Sequence, residues 1–213
     1  MDQDQLFSDA SQSKGNNVPR EVLPYGGSAK YYPSCLGDLK ADEVFNSLYF
    51  DTPWESYTIR MFGKESQQPR QVAWYGDPGS GYSYSGLKMN ILPWTPLVLQ
   101  LKNICQEFAK QEFNSVLLNL YRDGNDKVGW HSDNEPELGY EPTIASLSLG
   151  AERRFKFRLR DDHEVKEEIV LPSGSLVVMS GPCQQLWDHE IPKELKIKTP
   201  RINLTFRRVN VKG

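Results

Sequence analysis

Apolar and polar residues alternate with a period of two along most of the chain after residue 113, as in β-strands that bury one face. The pattern predicts strands at 113–121, 143–149, 154–159, 165–171, 175–179 and 201–209, separated by turns containing glycine or proline. Many short strands without intervening helices favour a sandwich or barrel over alternating β–α units. We therefore predict a mainly β core.

Two earlier segments have the period of an α-helix. In the first, apolar residues recur at helical spacing from 44 to 49, and Asp38 is predicted to be the N-cap. The second is predicted to begin with Thr95 as its cap and Pro96 at the first helical position, followed by apolar residues at helical spacing from 97 to 108. Helices that flank a β-core place the chain in the α+β class.

Local composition suggests how the chain is divided. The polar stretch 1–29 is predicted to be a flexible N-terminal segment, and it lacks the apolar run of a signal peptide. Residues 30–213 are predicted to form one domain. Within this domain, pieces rich in glycine, proline and serine around 55–90 indicate hairpins and exposed loops, whereas 113–210 hold the strand-rich core.

Overall composition narrows the class of protein. Hydrophobic residues make up 38% of the chain, enough for a packed core, and no apolar run is long enough to cross a membrane. The net charge of −3 provides no general basic field, so a nucleic-acid partner would need a local patch. Three cysteines without paired spacing indicate reduced thiols. We expect a monomer in a bacterial-type cytoplasm, or in the nucleus if the cell is eukaryotic.

Three residues suggest a metal site. His131 and Asp133 stand two residues apart, and His189 supplies a second imidazole from a distant part of the chain. Two histidines and one carboxylate are the facial triad that holds Fe(II) and leaves coordination positions open. The third histidine, His163, lies in a charged run typical of an exposed turn. On spacing alone, a metal site and a chance His-x-Asp pair both stay open.

The stretch 201–207 alternates strictly, and its polar face carries Arg201, Asn203, Thr205 and Arg207. An outward, solvated face would explain this polarity. Two arginines flanking Asn and Thr also suit a dicarboxylate, because a guanidinium group binds a carboxylate with two hydrogen bonds. Asn119 and Tyr121, two apart on a neighbouring predicted strand, could add hydrogen bonds to such a pocket.

Together these motifs resemble the AlkB family of oxygenases over roughly residues 113–208. The resemblance implies a double-stranded β-helix (jelly-roll) core, Fe(II) as cofactor, and 2-oxoglutarate and O2 as co-substrates. It implies that the iron is held by His131, Asp133 and His189. It also implies a 2-oxoglutarate pocket formed by Asn119, Tyr121, Asn203 and Thr205, with Arg201 at the distal carboxylate and Arg207 near the oxo-acid end.

The activity implied by this resemblance is oxidative demethylation of N-alkylated bases, such as 1-methyladenine and 3-methylcytosine, in DNA. 2-Oxoglutarate and O2 would be converted to succinate and CO2, and the methyl group would leave as formaldehyde. Two alternatives keep the same cofactor, namely demethylation of RNA and hydroxylation of a protein. A third is a jelly-roll binding module without turnover.

A base inside a duplex has to be flipped out to reach such a site. Candidates for a wedge that opens the duplex are Phe62, Gly63, Lys64 and Arg70, although an isolated Phe is more often a core residue. Tyr82 and Tyr84 resemble the nucleotide-recognition lid of the duplex-DNA branch of the family, in which the residue at the Tyr84 position stacks on the flipped base.

Two further features concern the base and the phosphates. Asn134 and Glu135 stand where several relatives carry Asp-Glu, and Asn134 is expected to retain base binding with an altered base preference. Alternation places four cations on one strand face, at Arg154, Lys156, Arg158 and Arg160. A solvated outer face and phosphate contact both explain them, and the lack of intervening acids favours phosphate contact.

Overall fold

The structure, a computed structural model, describes residues 18–61, 64–80, 83–84, 87–88 and 90–210, without the side chains of 59–61, 64–66, 83–84 and 87–88. Its strands are β1 (Arg20–Glu21), β2 (Ser28–Tyr32), β3 (Thr58–Met61), β4 (Lys64–Gln67), β5 (Gln71–Gly76), β6 (Ser83–Tyr84), β7 (Leu87–Lys88), β8 (Ile91–Leu92), β9 (Ser115–Tyr121), β10 (Val128–His131), β11 (Ile144–Gly150), β12 (Arg153–Leu159), β13 (Lys166–Leu171), β14 (Leu176–Ser180), β15 (Trp187–Ile191) and β16 (Arg201–Arg207). Its helices are α1 (Ala41–Asp51), α2 (Pro96–Ala109) and α3 (Cys183–Leu186), with a 3-10 turn at Pro136–Leu138.

Two large sheets form the core. One has the strand order β1-β2-β14-β11-β16-β9-β5-β8, and the other has the order β10-β15-β12-β13. Among the described strands every pairing is antiparallel except that of β5 with β8. Pairs β3–β4 and β6–β7 are small separate hairpins. The predicted mainly β fold with a jelly-roll core and flanking helices is confirmed.

The central strands β9, β11 and β16 of the eight-stranded sheet are buried on both faces. One face of β16 carries Ile202, Leu204 and Phe206, which belong to the same apolar cluster as Leu48 of α1 and Leu101 of α2. The other face lies toward the four-stranded sheet, where a second apolar cluster includes Phe155, Phe157, Trp187, Ile144 and Val177. Because apolar groups from helices and the second sheet cover both faces, polar residues on the inner face of β16 are removed from bulk water.

The helix boundaries follow the sequence with one correction. Thr95 caps α2 as predicted, since its Oγ1 accepts a hydrogen bond from the backbone nitrogen of Val98 at 3.2 Å. The prediction of Asp38 as cap of α1 is wrong, because the N-cap is Lys40, which makes no side-chain capping bond. A turn closed by the bond from Leu39 nitrogen to Leu36 oxygen contains Asp38 instead.

The described part of the segment 1–29, from residue 18 onward, contains a strand and the start of a second one, although the whole segment was predicted to be flexible. Strand β1 pairs with β2, and β2 pairs with β14 of the large sheet. Leu23 and Ala29 are buried, and Oε1 of Glu21 accepts a hydrogen bond from Ala29 nitrogen at 2.6 Å. Pairing with an existing sheet edge, which depends on backbone groups, orders this polar stretch despite its composition.

The region 55–90 contains hairpins, as predicted, but also a buried strand. Four successive residues of β5, Val72 to Tyr75, are buried, because Ala73 and Tyr75 belong to one apolar cluster and Val72 and Trp74 belong to another. A strand covered on both faces loses the alternation that marks a half-exposed strand, so the sequence pattern did not reveal β5.

No helix in the described ranges has the length and hydropathy that crossing a membrane requires.

Candidate metal centre and co-substrate pocket

The three side chains predicted as metal ligands lie together. His131 ends β10 and pairs with His189 of β15, so that the centroids of their rings are 4.3 Å apart. Asp133 follows two residues later, and its Oδ1 lies 4.0 Å from Nε2 of His131. One ligand atom from each residue lies within 4.8 Å of the other two. The register of two antiparallel strands therefore brings both motifs to one point.

The surroundings of these atoms fit a metal ion. Asp133 Oδ1 and His189 Nδ1 are buried without a hydrogen-bond partner, which is costly unless another group binds there. Nδ1 of His131 lies 2.8 Å from the carbonyl oxygen of Gly129. Because a carbonyl only accepts, Nδ1 donates its proton there, and Nε2 is the ring nitrogen left to coordinate a metal. The donor set is that of a facial triad for Fe(II).

Charges in the site keep the ligands in metal-binding forms. Burial alone would raise the pKa of Asp133, but the charges of Arg207, His189 and His131 lower it to about 2. Burial, followed by the charge of His131, lowers the pKa of His189 to about 3. At neutral pH the site therefore offers an anionic carboxylate and a neutral imidazole, the forms in which these groups bind metals.

The polar face of β16 lines the same cavity as the three ligands. The predicted pocket residues found in its wall are Asn119, Tyr121, Arg201, Asn203, Thr205 and Arg207. Strand β9 pairs Asn119 with Asn203 and Tyr121 with Arg201, which places them on a common face. Because all four polar residues of β16 are buried, the alternative of a solvated outer face is wrong.

Arg201 has the properties of an anion-binding group. Its Nη2 donates to Oγ of Ser148 at 2.9 Å, whereas its Nε and Nη1 are buried without a hydrogen-bond partner. Burial lowers the pKa of Arg201 to about 10, against a raising effect of Tyr121, so the guanidinium stays charged at neutral pH. A buried cation with two unused donors suits a bound carboxylate.

The other polar residues of β16 form hydrogen bonds with neighbouring side chains. Arg207 donates from Nη2 to Oδ2 of Asp133 at 2.8 Å, which couples this strand to the metal ligand. Nδ2 of Asn203 donates to Oγ of Ser146 at 2.8 Å, and Oγ1 of Thr205 donates to Oδ1 of Asn203 at 2.9 Å. Asn203 and Thr205 therefore orient one another within the cavity wall.

Several residues of the site were missed by the sequence analysis. Ser146 and Ser148 lie on the pocket face of β11, and the Ser-Leu-Ser alternation inside an otherwise apolar strand was a signal for them. Gln184 is fully buried, and its Oε1 accepts a hydrogen bond from Asp133 nitrogen at 2.9 Å. Its contact crosses 51 residues of chain, and no local pattern marks it.

Arg70, predicted to contact substrate as part of a wedge, lies instead in the wall of this cavity. It is buried, and its Nε donates to Oδ1 of Asn119 at 2.7 Å. Arg70 therefore faces the cavity from its wall, and its contact with substrate stays a prediction. Its loop follows β4 and leads directly into β5, which pairs with β9, and this pairing turns the side chain inward.

Only some of the remaining predicted substrate residues have a described position. Phe62, Gly63 and Tyr82 lie outside the described residues, and only the backbones of Lys64 and Tyr84, in β4 and β6, are described. Asn134 is exposed immediately after the ligand Asp133. Glu135 is half-buried; burial, and then the charge of Asp133, raise the pKa of its carboxyl group.

The cationic face of β12 is balanced by acids from neighbouring strands. Glu168 of β13 lies 3.9 Å from Nη1 of Arg154 and 3.6 Å from Nζ of Lys156. Asp188 of β15 lies 3.0 Å from Nη2 of Arg158. Acids of the neighbouring strands lie beside these cations, so the predicted phosphate contact loses its basis, which was the absence of such acids. A solvated, ion-paired outer face explains these cations.

Comparisons with known proteins agree with this geometry. Residues 28–207 match the family model of the 2OG-Fe(II) oxygenase superfamily. The chain is 46% identical over 187 residues to the Bos taurus protein named alpha-ketoglutarate-dependent dioxygenase alkB homolog 3, covering 82% of this chain and 65% of that protein. It is 37% identical over 210 residues to the Bos taurus DNA oxidative demethylase ALKBH2, covering 92% of this chain and 76% of that protein.

A solved structure shares the fold. The structure of OsALKBH1 superposes with a TM-score of 0.60 at 18% sequence identity, covering 87% of this chain and 99% of that one. The chain spans 65% of the length of the bovine alkB homolog 3. Fe(II) and 2-oxoglutarate, the cofactor and co-substrate that name the superfamily, fit the triad and the buried arginine described above. The chain belongs to the AlkB family of 2OG-Fe(II) oxygenases.

Proposed function

We propose that this chain catalyses oxidative demethylation of N-alkylated bases in DNA, with 1-methyladenine and 3-methylcytosine as substrates. One observation carries the proposal: His131, Asp133 and His189 converge on one point in a cavity that also holds the charged guanidinium of Arg201. Two of the similar proteins are named as a dioxygenase and as a DNA oxidative demethylase, which supports this reaction and this substrate.

In this proposal His131, Asp133 and His189 would hold the iron. Bound Fe(II), with 2-oxoglutarate and O2, supplies the oxidation, in which 2-oxoglutarate becomes succinate and CO2 and one oxygen atom is added to the N-methyl carbon. The bond between that carbon and the ring nitrogen then breaks. The carbon leaves as formaldehyde, the proton of the added hydroxyl group passes to water, and the ring nitrogen keeps the electron pair of the broken bond.

The residues of the chain orient the reactants. Arg201 would bind the distal carboxylate of 2-oxoglutarate through the donors at Nε and Nη1 that have no protein partner. Arg207 holds Oδ2 of Asp133, so that Oδ1 of the same carboxylate would be left to bind the metal, and Gln184 holds the backbone nitrogen of Asp133. Burial of these groups excludes water and strengthens their interactions.

We further propose that the base lies beside the segment that follows Asp133. Exposed Asn134 would accept a hydrogen bond from the exocyclic amine of the base through its amide oxygen, and Glu135 would lie next to it. The wedge and lid that would open the duplex and stack on the base are assigned to Phe62, Gly63, Lys64, Tyr82 and Tyr84. We propose that the protein acts as a monomer in the compartment that holds the DNA, the cytoplasm or a nucleus.

Mass spectrometry of a DNA oligonucleotide with one 1-methyladenine tests this function. After incubation with the protein, Fe(II), 2-oxoglutarate and ascorbate, the oligonucleotide should lose the mass of one CH2 unit. The variant His131→Ala should leave the mass unchanged, whereas His163→Ala, at a histidine far from the triad in sequence, should behave as the parent does. Retention of the methyl group by the parent protein would contradict the proposal.

A second candidate is demethylation of RNA, and a third is hydroxylation of a protein. The bovine alkB homolog 3, which is 46% identical, carries no nucleic acid in its name and therefore leaves the RNA candidate open. Single-stranded DNA, duplex DNA and RNA of one sequence, each with the same methylated base, separate the nucleic-acid candidates. Succinate release with none of the three demethylated would favour a protein substrate, and no succinate release would favour a binding module.

A further inference from the structure

Arg153, at the start of β12, is a fully buried guanidinium that joins two loops. Its Nε lies 3.1 Å from Oε2 of Glu194, and its Nη2 donates to the carbonyl oxygens of Asp126 at 2.9 Å and Pro192 at 2.5 Å. Its Nη1 donates to the carbonyl oxygen of Asp123 at 3.3 Å. One side chain thus bonds the loop after β9 to the loop after β15, although neither loop carries a predicted site residue.

These two loops are also packed closely through their backbones. Gly124 nitrogen donates to Ile197 oxygen at 3.0 Å, and Glu194 nitrogen donates to Gly124 oxygen at 2.8 Å. A Cβ atom at position 124 would lie 1.8 Å from the carbonyl oxygen of Glu194, so only glycine fits. The contact leaves the loop after β9 little freedom to move independently of Arg153.

Tyr121 connects Arg153 and the two loops that it joins to the candidate co-substrate pocket. It is the last residue of β9, buried, and directly opposite Arg201 in the sheet register. The guanidinium carbon of Arg153 lies 5.7 Å from the centroid of the Tyr121 ring, and that of Arg201 lies 5.2 Å from the same centroid. Two cations over one ring hold it by cation–π attraction, which is stronger in a buried setting.

We propose that Arg153 is a positioning residue of the 2-oxoglutarate pocket, acting through the ring of Tyr121 on the guanidinium of Arg201. The inference rests on the proposed role of Arg201 in binding the distal carboxylate of 2-oxoglutarate. Arg153 itself is not one of the residues that line the cavity. Its planar group bonds both loops and covers the ring at the same time, which a flexible ammonium group does not do.

Arg154 is the matched control because it shares an acid with Arg153. Its Nε lies 3.0 Å from Oε1 of Glu194, but 41% of its side chain is exposed, and it also faces Glu168 on the outer surface. Replacing Arg154 by Met removes a guanidinium bound to Glu194 and leaves the contact of Arg153 with Tyr121 in place. A difference between the two variants therefore reports the contact with the ring.

The test is the affinity of the whole chain, loaded with Mn(II), for 2-oxoglutarate, measured by isothermal titration calorimetry well below the unfolding temperature. We expect Arg153→Met to weaken binding by about tenfold, the effect of roughly 1.4 kcal/mol, and Arg154→Met to leave it unchanged. In steady-state assays KM for 2-oxoglutarate should rise in Arg153→Met, while kcat at saturation changes by less than about twofold.

A second pair of variants covers the case in which Arg153→Met does not fold. Arg153→Lys keeps the charge beside Glu194 but not the planar group, and it should still weaken 2-oxoglutarate binding. In a Tyr121→Leu background, Arg153→Lys should have no further effect on affinity, because the ring through which it acts is gone.

The outcomes separate this inference from the pocket assignment. If neither replacement of Arg153 changes the affinity for 2-oxoglutarate, or if Arg154→Met weakens it equally, the positioning role is wrong. If the parent protein binds Mn(II) but not 2-oxoglutarate, the proposed role of Arg201 fails before Arg153 is in question.

Discussion

Nη2 of Arg207 lies 2.8 Å from Oδ2 of Asp133, and both side chains are buried. The last residue of strand β16 is therefore bonded directly to a candidate metal ligand that lies 74 positions earlier in the chain. The bond joins the charges of the candidate metal site and of the candidate co-substrate pocket. A change to Asp133 consequently affects the metal-free fold as well as metal binding.

Asp133→Ala should both abolish metal binding and destabilise the metal-free protein. The variant removes the carboxylate that balances the buried charge of Arg207, and breaking one side of a buried ion pair typically costs about 3–5 kcal/mol. His131→Ala removes a ligand but keeps the ion pair, so it should lose metal affinity with a smaller loss of stability. Urea unfolding and Mn(II) titration measure both quantities. Equal stabilities of the two variants would contradict the coupling.

The metal-free protein should lose stability as the pH falls from about 6.5. The pKa of His189 is 6.5 in an ordinary environment and about 3 in the folded protein, so the unfolded chain binds more protons between these values. Asp133, whose pKa is lowered from 3.8 to about 2, adds a further loss below pH 3.8. Urea unfolding at several pH values should show a shallower dependence in His189→Gln than in the parent. An unchanged slope between pH 6.5 and 5 would exclude His189 as its source.

The three cysteines should be inert in the folded state. Burial raises the pKa of the Cys35 and Cys183 thiols to about 12 and that of Cys105 well above its usual value, so thiolate is scarce at pH 8. A disulfide reagent such as Ellman's should therefore modify none of them in the native protein and all three in urea. Fast labelling of a native thiol would show that its segment opens locally.

Thr95→Ala should destabilise the fold by about 1 kcal/mol, because the backbone nitrogen of Val98 loses its capping acceptor. Thr95→Ser keeps a hydroxyl oxygen at the same place and should cost much less. Helix α2 packs Leu101 against the large sheet, away from the metal ligands. Metal and 2-oxoglutarate affinities should therefore be unchanged in both variants, and a loss of either would indicate a wider role for this helix.

Asn134→Asp should change the choice of base. An added negative charge next to Asp133 favours a cationic methylated base and strengthens the hydrogen bond from its exocyclic amine. The ratio of activities on 1-methyladenine, which is cationic, and on 3-methylthymine, which is neutral and has no exocyclic amine, should rise when both are measured as formaldehyde release from matched oligonucleotides. If this ratio stays the same, Asn134 does not contact the base.

Local patterns in the sequence were sufficient for much of the fold. Alternation located strands β9, β11, β12, β13, β14 and β16 within a few residues, and the Thr95-Pro96 pair located the start of α2. The pattern failed for β5, both faces of which are buried by apolar clusters, and for β1 and β2, which join the sheet because β1 pairs with β2 and β2 pairs with β14. In these cases tertiary contacts, and not local composition, determine the structure.

The residues of the candidate site were likewise predictable from the sequence only in part. Two histidines, one carboxylate and the alternation of 201–207 were visible in the chain because coordination chemistry and strand period constrain residue type and spacing. The positions of Arg70, Gln184 and Arg153 were not visible, since each acts through contacts across 27 to 51 residues of chain. The sequence pattern also did not show that the cations of β12 pair with acids, because these acids lie on other strands.

The sequence by itself thus determined which groups can bind iron and a dicarboxylate, since these are properties of side-chain chemistry and local spacing. Only the tertiary structure decided which buried charges face one another. That depends on strand register, because a shift of one residue turns every side chain of a strand to the opposite face.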